Sequence, residues 1–481
     1  STAAYEIDNS VKLEADNTEY LNRVIASGGN RKTWTISAWV KRTEISDASH
    51  GGGHTIFGVN VSGNEGTIVR FNTGTTAATL DTLQIDIGAG GTLSRSHTSQ
   101  VFRDTSAWYH IVLAVDTTQG TATDRFKLYV NGELVTSYYS RNNPAQNFDT
   151  SNNQADNSCT QHIGAYTVSG TAYGKFCGYI AEVNHVDGAA LAPTEFGEFD
   201  EDSGIWKPKA ASPTYGTNGF FLDFADSGNL GDDESGNGLD FTEVNIAASD
   251  QGTDTPTNNF CTLALRVRAG TSSEDAPIRE GGTYMPIDGT NQFLAYFGTI
   301  GVTKGKWYWE VYIPSRSASY GLLDYIGLHS MQVIPVGASA TGGTSQCNYV
   351  LHYGDYNATV NGTNSGQNNA AGLPSYGTNG AGKLFGVAFD ATNGKITYYE
   401  SGNRIGNLNI DIFDLHDDMA DGIFVHPFIQ VYDNNMYINF GGVSSWASPS
   451  DYDKTDANEY GSFAYTPPTG YYALCTKNLA E

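Results

Sequence analysis

Cationic side chains are scarce in this 481-residue sequence: Lys and Arg number 26 against 52 Asp and Glu, for a formal net charge of −26. Phosphate backbones are held by clustered Lys and Arg, so this balance excludes nucleic acid as a partner and disfavours an anionic membrane surface. Cysteine is rare too. Cys159, Cys177, Cys261, Cys347 and Cys475 are scattered and form no C-x-x-C pair, so buried thiols are expected rather than a disulfide framework. No apolar run approaches the roughly 20 residues of a membrane helix. The first thirty residues carry no basic region followed by an apolar stretch, so no signal peptide is expected, and synthesis in a reducing cytoplasm follows as the expectation. Helical periodicity is almost absent, which excludes bundles and parallel α/β sheets.

What is present is glycine (56 residues), 12% aromatics and 39% hydrophobic residues, ample for cores in two to four domains of ordinary size. Short alternating segments recur between Gly, Asn and Asp. In Thr33–Arg42, Trp34, Ile36, Ala38 and Val40 share one face and Thr35, Ser37, Trp39 and Lys41 the other, the pattern of a half-buried strand. Trp108–Asp116, Phe126–Val130 and Cys177–Val186 read alike, and Asn131-Gly132 predicts a type I′ hairpin. Many short strands without intervening helices predict antiparallel sandwiches.

From Ala210 to about Leu263 the character changes. Ser227–Asn237 and Ser249–Asn259 are loop-like, with only short apolar pieces between them, and the stretch reads as an extended connector lying on the sandwiches. Alternation resumes at Gly305–Ile313 and continues through Tyr325–Leu328, Lys383–Asp390, Lys395–Glu400, Ile423–Tyr432 and Met436–Phe440. Between them, Ala338–Gly382 is a long Gly/Asn/Tyr-rich excursion of the kind that serves function.

Two family resemblances rest on these segments. With KTWTISAWVKR (Lys32–Arg42), WYHIVLAVD (Trp108–Asp116), FKLYVNGELV (Phe126–Val135) and CGYIAEVNHVDGAAL (Cys177–Leu191), residues from about 10 to 206 resemble the concanavalin A-like, laminin-G-like jelly rolls. Residues from about 281 to 475 resemble SPRY domains through GKWYWEVYI, IGLHS, GVAFDATNGKITYYESGN, YINFGG and FAYTPPTGYYAL. Ser401-Gly402 stands where the SPRY hairpin usually has Asn-Gly, and no PRY extension is evident at the front. The two domains in this order, joined by a stretch with FFLDF and DTPTNNF and ending in PPTGYYALCTKNL, look like proteins of bacteriophages, especially marine ones. The resemblance implies a virion structural protein, an exposed appendage or fibre.

Several groups bear on chemistry. Glu198, Asp200 and Asp202 alternate along the chain, and carboxylates two apart on an extended strand lie about 6.6 Å from each other, a glycosidase-like spacing. These three sit among turn residues, however, and read as a solvated linker. Glu310 reads as structural. His416-Asp417-Asp418 with Asp421, and Asp232-Asp233-Glu234, lack a Ca²⁺-loop pattern and read as turns. His50 and His54 lack Cys or acidic partners at zinc spacing and read as a flexible loop. No catalytic residue, metal or cofactor is expected. For ligand binding, Tyr349, His352, Tyr353, Asp355 and Tyr356 put aromatic faces beside polar groups, which suits a sugar or a protein surface; covering a strand edge or a neighbouring subunit serves equally well.

The expected protein is all-β: a laminin-G-like jelly roll over 1–209, a connector over 210–263 and a SPRY-like sandwich over 264–481. Its expected role is a non-enzymatic phage virion protein presenting these domains for attachment to a host-surface glycan, with a decoration protein or a polysaccharide-acting first sandwich as alternatives. The expected partners are itself, as a homo-oligomer and by guess a trimer, and other virion proteins, with neither nucleic acid nor membrane.

Overall fold

The computed structural model describes residues 5–45, 52–60, 66–74, 76–155, 159–269, 278–286, 293–314, 325–330, 349–352, 358–360, 363–364, 382–404, 410–411, 419–431, 435–442 and 452–480. The chain divides into two units, Ser1–Asn259 and Phe260–Glu481.

The alternating segments of the first unit form two 8-stranded sheets. One runs through Glu133–Leu134, Phe126–Val130, Tyr109–Asp116, Thr33–Arg42, Gly178–Asp187, Ser10–Leu13 and Gln251–Gly252, with Phe220–Leu222 also paired to Gly178–Asp187. The other runs through Tyr138–Ser140, Thr92–Val101, Thr82–Ala89, Thr67–Phe71, His54–Asn60, Thr160–Ile163, Tyr20–Val24 and Thr242–Val244. Trp34, Ile36, Ala38 and Val40 point into the core that the two sheets share, as their period predicts. The half-buried strand expected at Thr33–Arg42 is instead buried on both faces. Its outer face is covered from segments distant in sequence, Trp39 packing with Ile7, Ala181 and Trp206, while Phe196 covers the neighbouring Val112 and Val186.

Residues 210–259 add strands to this sandwich. Phe220–Leu222 pairs with Val183–His185, Thr242–Val244 with Tyr20–Asn22, and Gln251–Gly252 with Ser10–Val11. Phe220, Leu222, Phe224, Leu230 and Phe241 enter its core. The Asn131-Gly132 hairpin forms with φ of 48° and 80°, the left-handed pair that a type I′ turn requires.

The second unit has a 7-stranded sheet, Leu263–Ala269, Phe293–Gly298, His426–Val431, Tyr325–His329, Tyr349–His352, Ala358–Val360 and Thr363–Asn364. Its 8-stranded partner runs through Tyr284–Met285, Met436–Asn439, Lys306–Ile313, Lys383–Asp390, Lys395–Glu400 and Asn403–Arg404, flanked by Ile410–Asp411 and Tyr472–Ala473. Among the described residues, pairing is antiparallel apart from Tyr472–Ala473, which lies parallel to Trp307–Tyr308. Trp307, Trp309, Val311 and Ile313 face the core with Phe385, Val387 and Phe389. Ser401-Gly402 takes φ of 48° and 77°, so it turns the hairpin as Asn-Gly does. Among the described residues, three short strands fall within the 338–382 excursion. Cys159, Cys177, Cys261 and Cys475 are buried, and Cys347 lies outside the described residues. Among the described residues no helix is long and apolar enough to cross a membrane.

Candidate functional site

Of the ligand-binding residues expected from sequence, Tyr349 and His352 occupy the two ends of one strand, in register with Leu328 and Tyr325. Tyr353, Asp355 and Tyr356 lie outside the described residues, as do His50, His416, Asp417 and Asp418. The acidic triplet runs from the strand of a hairpin, in which Gly197–Phe199 pairs with Trp206–Pro208, into its turn, where Asp200 and Asp202 lie. Asp200 closes its turn, accepting from Ser203 N at 2.9 Å and from Lys207 Nζ at 3.1 Å, and these bonds hold its carboxyl well below the usual range. Lys207 also reaches Glu198 at 3.5 Å, so these carboxylates stabilise a turn. Asp233 likewise organises a loop, accepting from the amides of Phe221, Ser235 and Leu239. Glu310 is buried and accepts from the amides of Ala464 and Tyr465 at 3.0 and 2.9 Å, binding the late chain segment to the sheet; burial pushes its carboxyl up to about 7.

Two arrangements on the outer face of the first unit's sheet have the composition of chemical sites. In one, Ser37 Oγ lies 2.8 Å from His110 Nε2, and His110 is stacked between Trp39 and Trp206. Trp206 Nε1 donates to His110 Nδ1 at 3.0 Å, so Nε2 carries the ring proton and donates to Ser37. That tautomer cannot take a proton from the serine, and the group is a packed polar core. In the other, Glu182 sits at a register shift between Ala181 and Asn184 with φ of 44°. Burial pushes its carboxyl up to about 7, Tyr5 OH donates to it, and Asp223 adds a like charge. Tyr215 OH donates to the nearby Asn184 at 2.7 Å. Neither group stood out in the sequence. The apolar spacing Ile180–Val183 was the available signal, since two core residues three apart cannot lie on a regular strand.

His54 departs from the flexible loop expected of it. It opens a strand and is buried, and one ligand atom each of Glu44, His54 and Cys177 lies within 4.8 Å of the others. The three come from strand ends brought together only by folding, so no local spacing announced them. Cys177 Sγ also lies 3.6 Å from Glu14 Oε1.

In the second unit an aromatic row crosses the 8-stranded sheet. Tyr284 pairs with Tyr437, Tyr437 with Tyr312, and Tyr312 with Leu384. The Tyr284 and Tyr437 rings stack with centroids 4.2 Å apart at 13°, and Tyr312 lies 6.3 Å from Tyr437. All four side chains are half-buried, each sharing its face with its cross-strand neighbours.

Residues 15–195 match the laminin-G-type family described as the concanavalin A-like lectin/glucanases superfamily. No curated protein matches the chain. Among solved structures, a native heptameric SAP-like pentraxin from Limulus polyphemus is 15% identical over 39% of this chain and 80% of its own, with a TM-score of 0.28. The SPRY domain of human HERC1 is 16% identical over 34% and 93%, at 0.21. Domain 4 of AbnA, an extracellular arabinanase from Geobacillus stearothermophilus solved with arabinotriose, is 18% identical over 34% and 65%, at 0.23. None of these structural likenesses bears on function. The sequence match does identify the first sandwich: residues 15–195 form a domain of the concanavalin A-like lectin/glucanase type.

Proposed function

We propose that this chain is a non-enzymatic recognition protein, an exposed appendage or fibre component of a bacteriophage virion that attaches to a host-surface glycan. The observation that carries the glycan reading is the row Tyr284–Tyr437–Tyr312–Leu384, whose half-buried rings offer apolar faces to sugar rings. Tyr349, His352, Tyr353, Asp355 and Tyr356 are the second proposed contact. The virion reading is supported by the order of the sequence motifs, from the jelly roll through FFLDF and DTPTNNF to PPTGYYALCTKNL. An acidic surface keeps such a component off nucleic acid. Assembly as a homo-oligomer, with a trimer the natural symmetry for a fibre, belongs to the same reading.

Equilibrium binding to a panel of host-envelope polysaccharides tests the glycan reading. Tyr437→Ala and Tyr312→Ala are each expected to weaken binding on the order of tenfold, about 1.4 kcal/mol, with the far-ultraviolet spectrum unchanged. Undiminished binding by both variants would move the site off this row. Polysaccharide cleavage in the first sandwich is a second reading, favoured by the near-neutral carboxyl of Glu182 beside the charge of Asp223. New reducing ends in the same samples, abolished by Glu182→Gln, would establish it in place of the first.

A further inference from the structure

At one end of the first unit's sandwich, four side chains with metal-ligating atoms converge from four segments. Glu14 follows the strand Ser10–Leu13, Glu44 follows Thr33–Arg42, His54 opens His54–Asn60 and Cys177 immediately precedes Gly178–Asp187. The backbone fixes this convergence: Gly178 is in register with both Leu13 and Arg42, and Thr43 N donates to Cys177 O at 3.2 Å. Gly178 is required there, at φ of 137° with an added Cβ only 2.0 Å from Lys41 O.

We propose that Glu44, His54 and Cys177, with Glu14 as the fourth ligand, bind a Zn²⁺ ion that clips the two sheets of the first sandwich together. The donor set is one sulfur, one nitrogen and carboxylate oxygens, which suits a borderline cation and not Ca²⁺ or Mg²⁺, whose ligands are all oxygen. Tetrahedral ligands at zinc's bond lengths lie roughly 3.5 Å apart. The three mutually close atoms, within 4.8 Å, need about an ångström of side-chain adjustment to reach that spacing. Cys177 Sγ is already 3.6 Å from Glu14 Oε1.

Charge fits as well. Arg42 lies beside the ring, its Nη2 3.5 Å from His54 Nδ1, and is anchored by Phe102 O at 2.6 Å and Asp81 at 3.1 Å. The ion's two positive charges, with Arg42 and Arg103 on either side of Asp81, balance a Cys177 thiolate and the Glu14, Glu44 and Asp81 carboxylates. Binding forms the Zn–S bond as the S–H bond of Cys177 breaks, and the proton leaves to buffer. His54 comes from one sheet and the other three ligands from segment ends of the opposite sheet, so the ion would stabilise the sandwich by mass action.

Full-length chain stripped with chelator and titrated with Zn²⁺ or Co²⁺ tests the proposal. The expected results are one Zn²⁺ per chain, a thiolate-to-cobalt charge-transfer band, a raised melting temperature and release of protons in weakly buffered solution. Cys177→Ser should abolish the cobalt band, and Glu44→Gln, at a half-buried position, should weaken Zn²⁺ binding by about a hundredfold while leaving the metal-free melt intact. No Zn²⁺ uptake by the folded wild-type chain would overturn the proposal. So would uptake that Glu44→Gln and His54→Gln leave unchanged.

Discussion

Acidification from about pH 7 to about pH 5 is expected to cost the first unit about 4 kcal/mol of stability. His110 and His185 are fully buried, and burial lowers both to about 3, while His162 is lowered to about 4. In the folded state His110 Nδ1 accepts from Trp206, and His185 Nε2 faces Asn152 Nδ2 at 2.8 Å, so an added proton would meet a donor. A histidine with a depressed folded value stabilises above its unfolded value of 6.5 and loses that contribution as pH falls. From about pH 6.5 to about pH 5 each costs about 2 kcal/mol, about 6 for the three.

Glu182 works in the opposite sense. Its folded value of about 7 exceeds the ordinary 4.5, so its contribution is fully present below 4.5 and disappears as pH rises through 7. It returns about 2 kcal/mol over the same acidification. Glu182→Gln removes that return and should raise the acid loss by about half, from about 4 to about 6 kcal/mol, read as the shift of the urea midpoint between the two pH values. Equal slopes for the variant and the parent would contradict the assignment. Glu310, also at about 7, should make the second unit gain where the first loses, although the lowered His426 opposes it.

Asp254→Ala is expected to destabilise the first unit by about 3–5 kcal/mol, because it leaves a buried charge uncompensated. Lys41 and Asp254 are both completely buried, with Nζ 2.7 Å from Oδ2. Asp254 Oδ1 also accepts from Trp108 Nε1 at 3.0 Å, and its backbone oxygen accepts from Ser10 Oγ at 2.7 Å. The loss should appear as a lower urea midpoint for the first transition, with the second unmoved. A change below about 1 kcal/mol would mean that 250–259 is dispensable to the sandwich.

The residues that were legible in the sequence are those whose partners are local or whose period is regular. Trp34 through Val40 announced a strand by alternation, and Asn131-Gly132 announced its turn by the need for two positive φ values. The covered outer face was not legible, since Ile7, Phe196 and Trp206 reach it from far along the chain. The strands within 210–259 were hidden for another reason: at two or three residues each, they are too short to show a period. The same limit applies to the site. Glu44, His54 and Cys177 meet only through strand register, and Tyr284, Tyr312 and Tyr437 come from three strands whose order no local pattern encodes.

Mass spectrometry with absolute copy numbers on particles purified from a culture that expresses this chain tests the proposed virion role most directly. The predicted result is the full-length chain in the particles, in a fixed copy number divisible by three and accessible to surface labelling. Its absence from purified particles, with the chain found only in the lysate, would contradict that role.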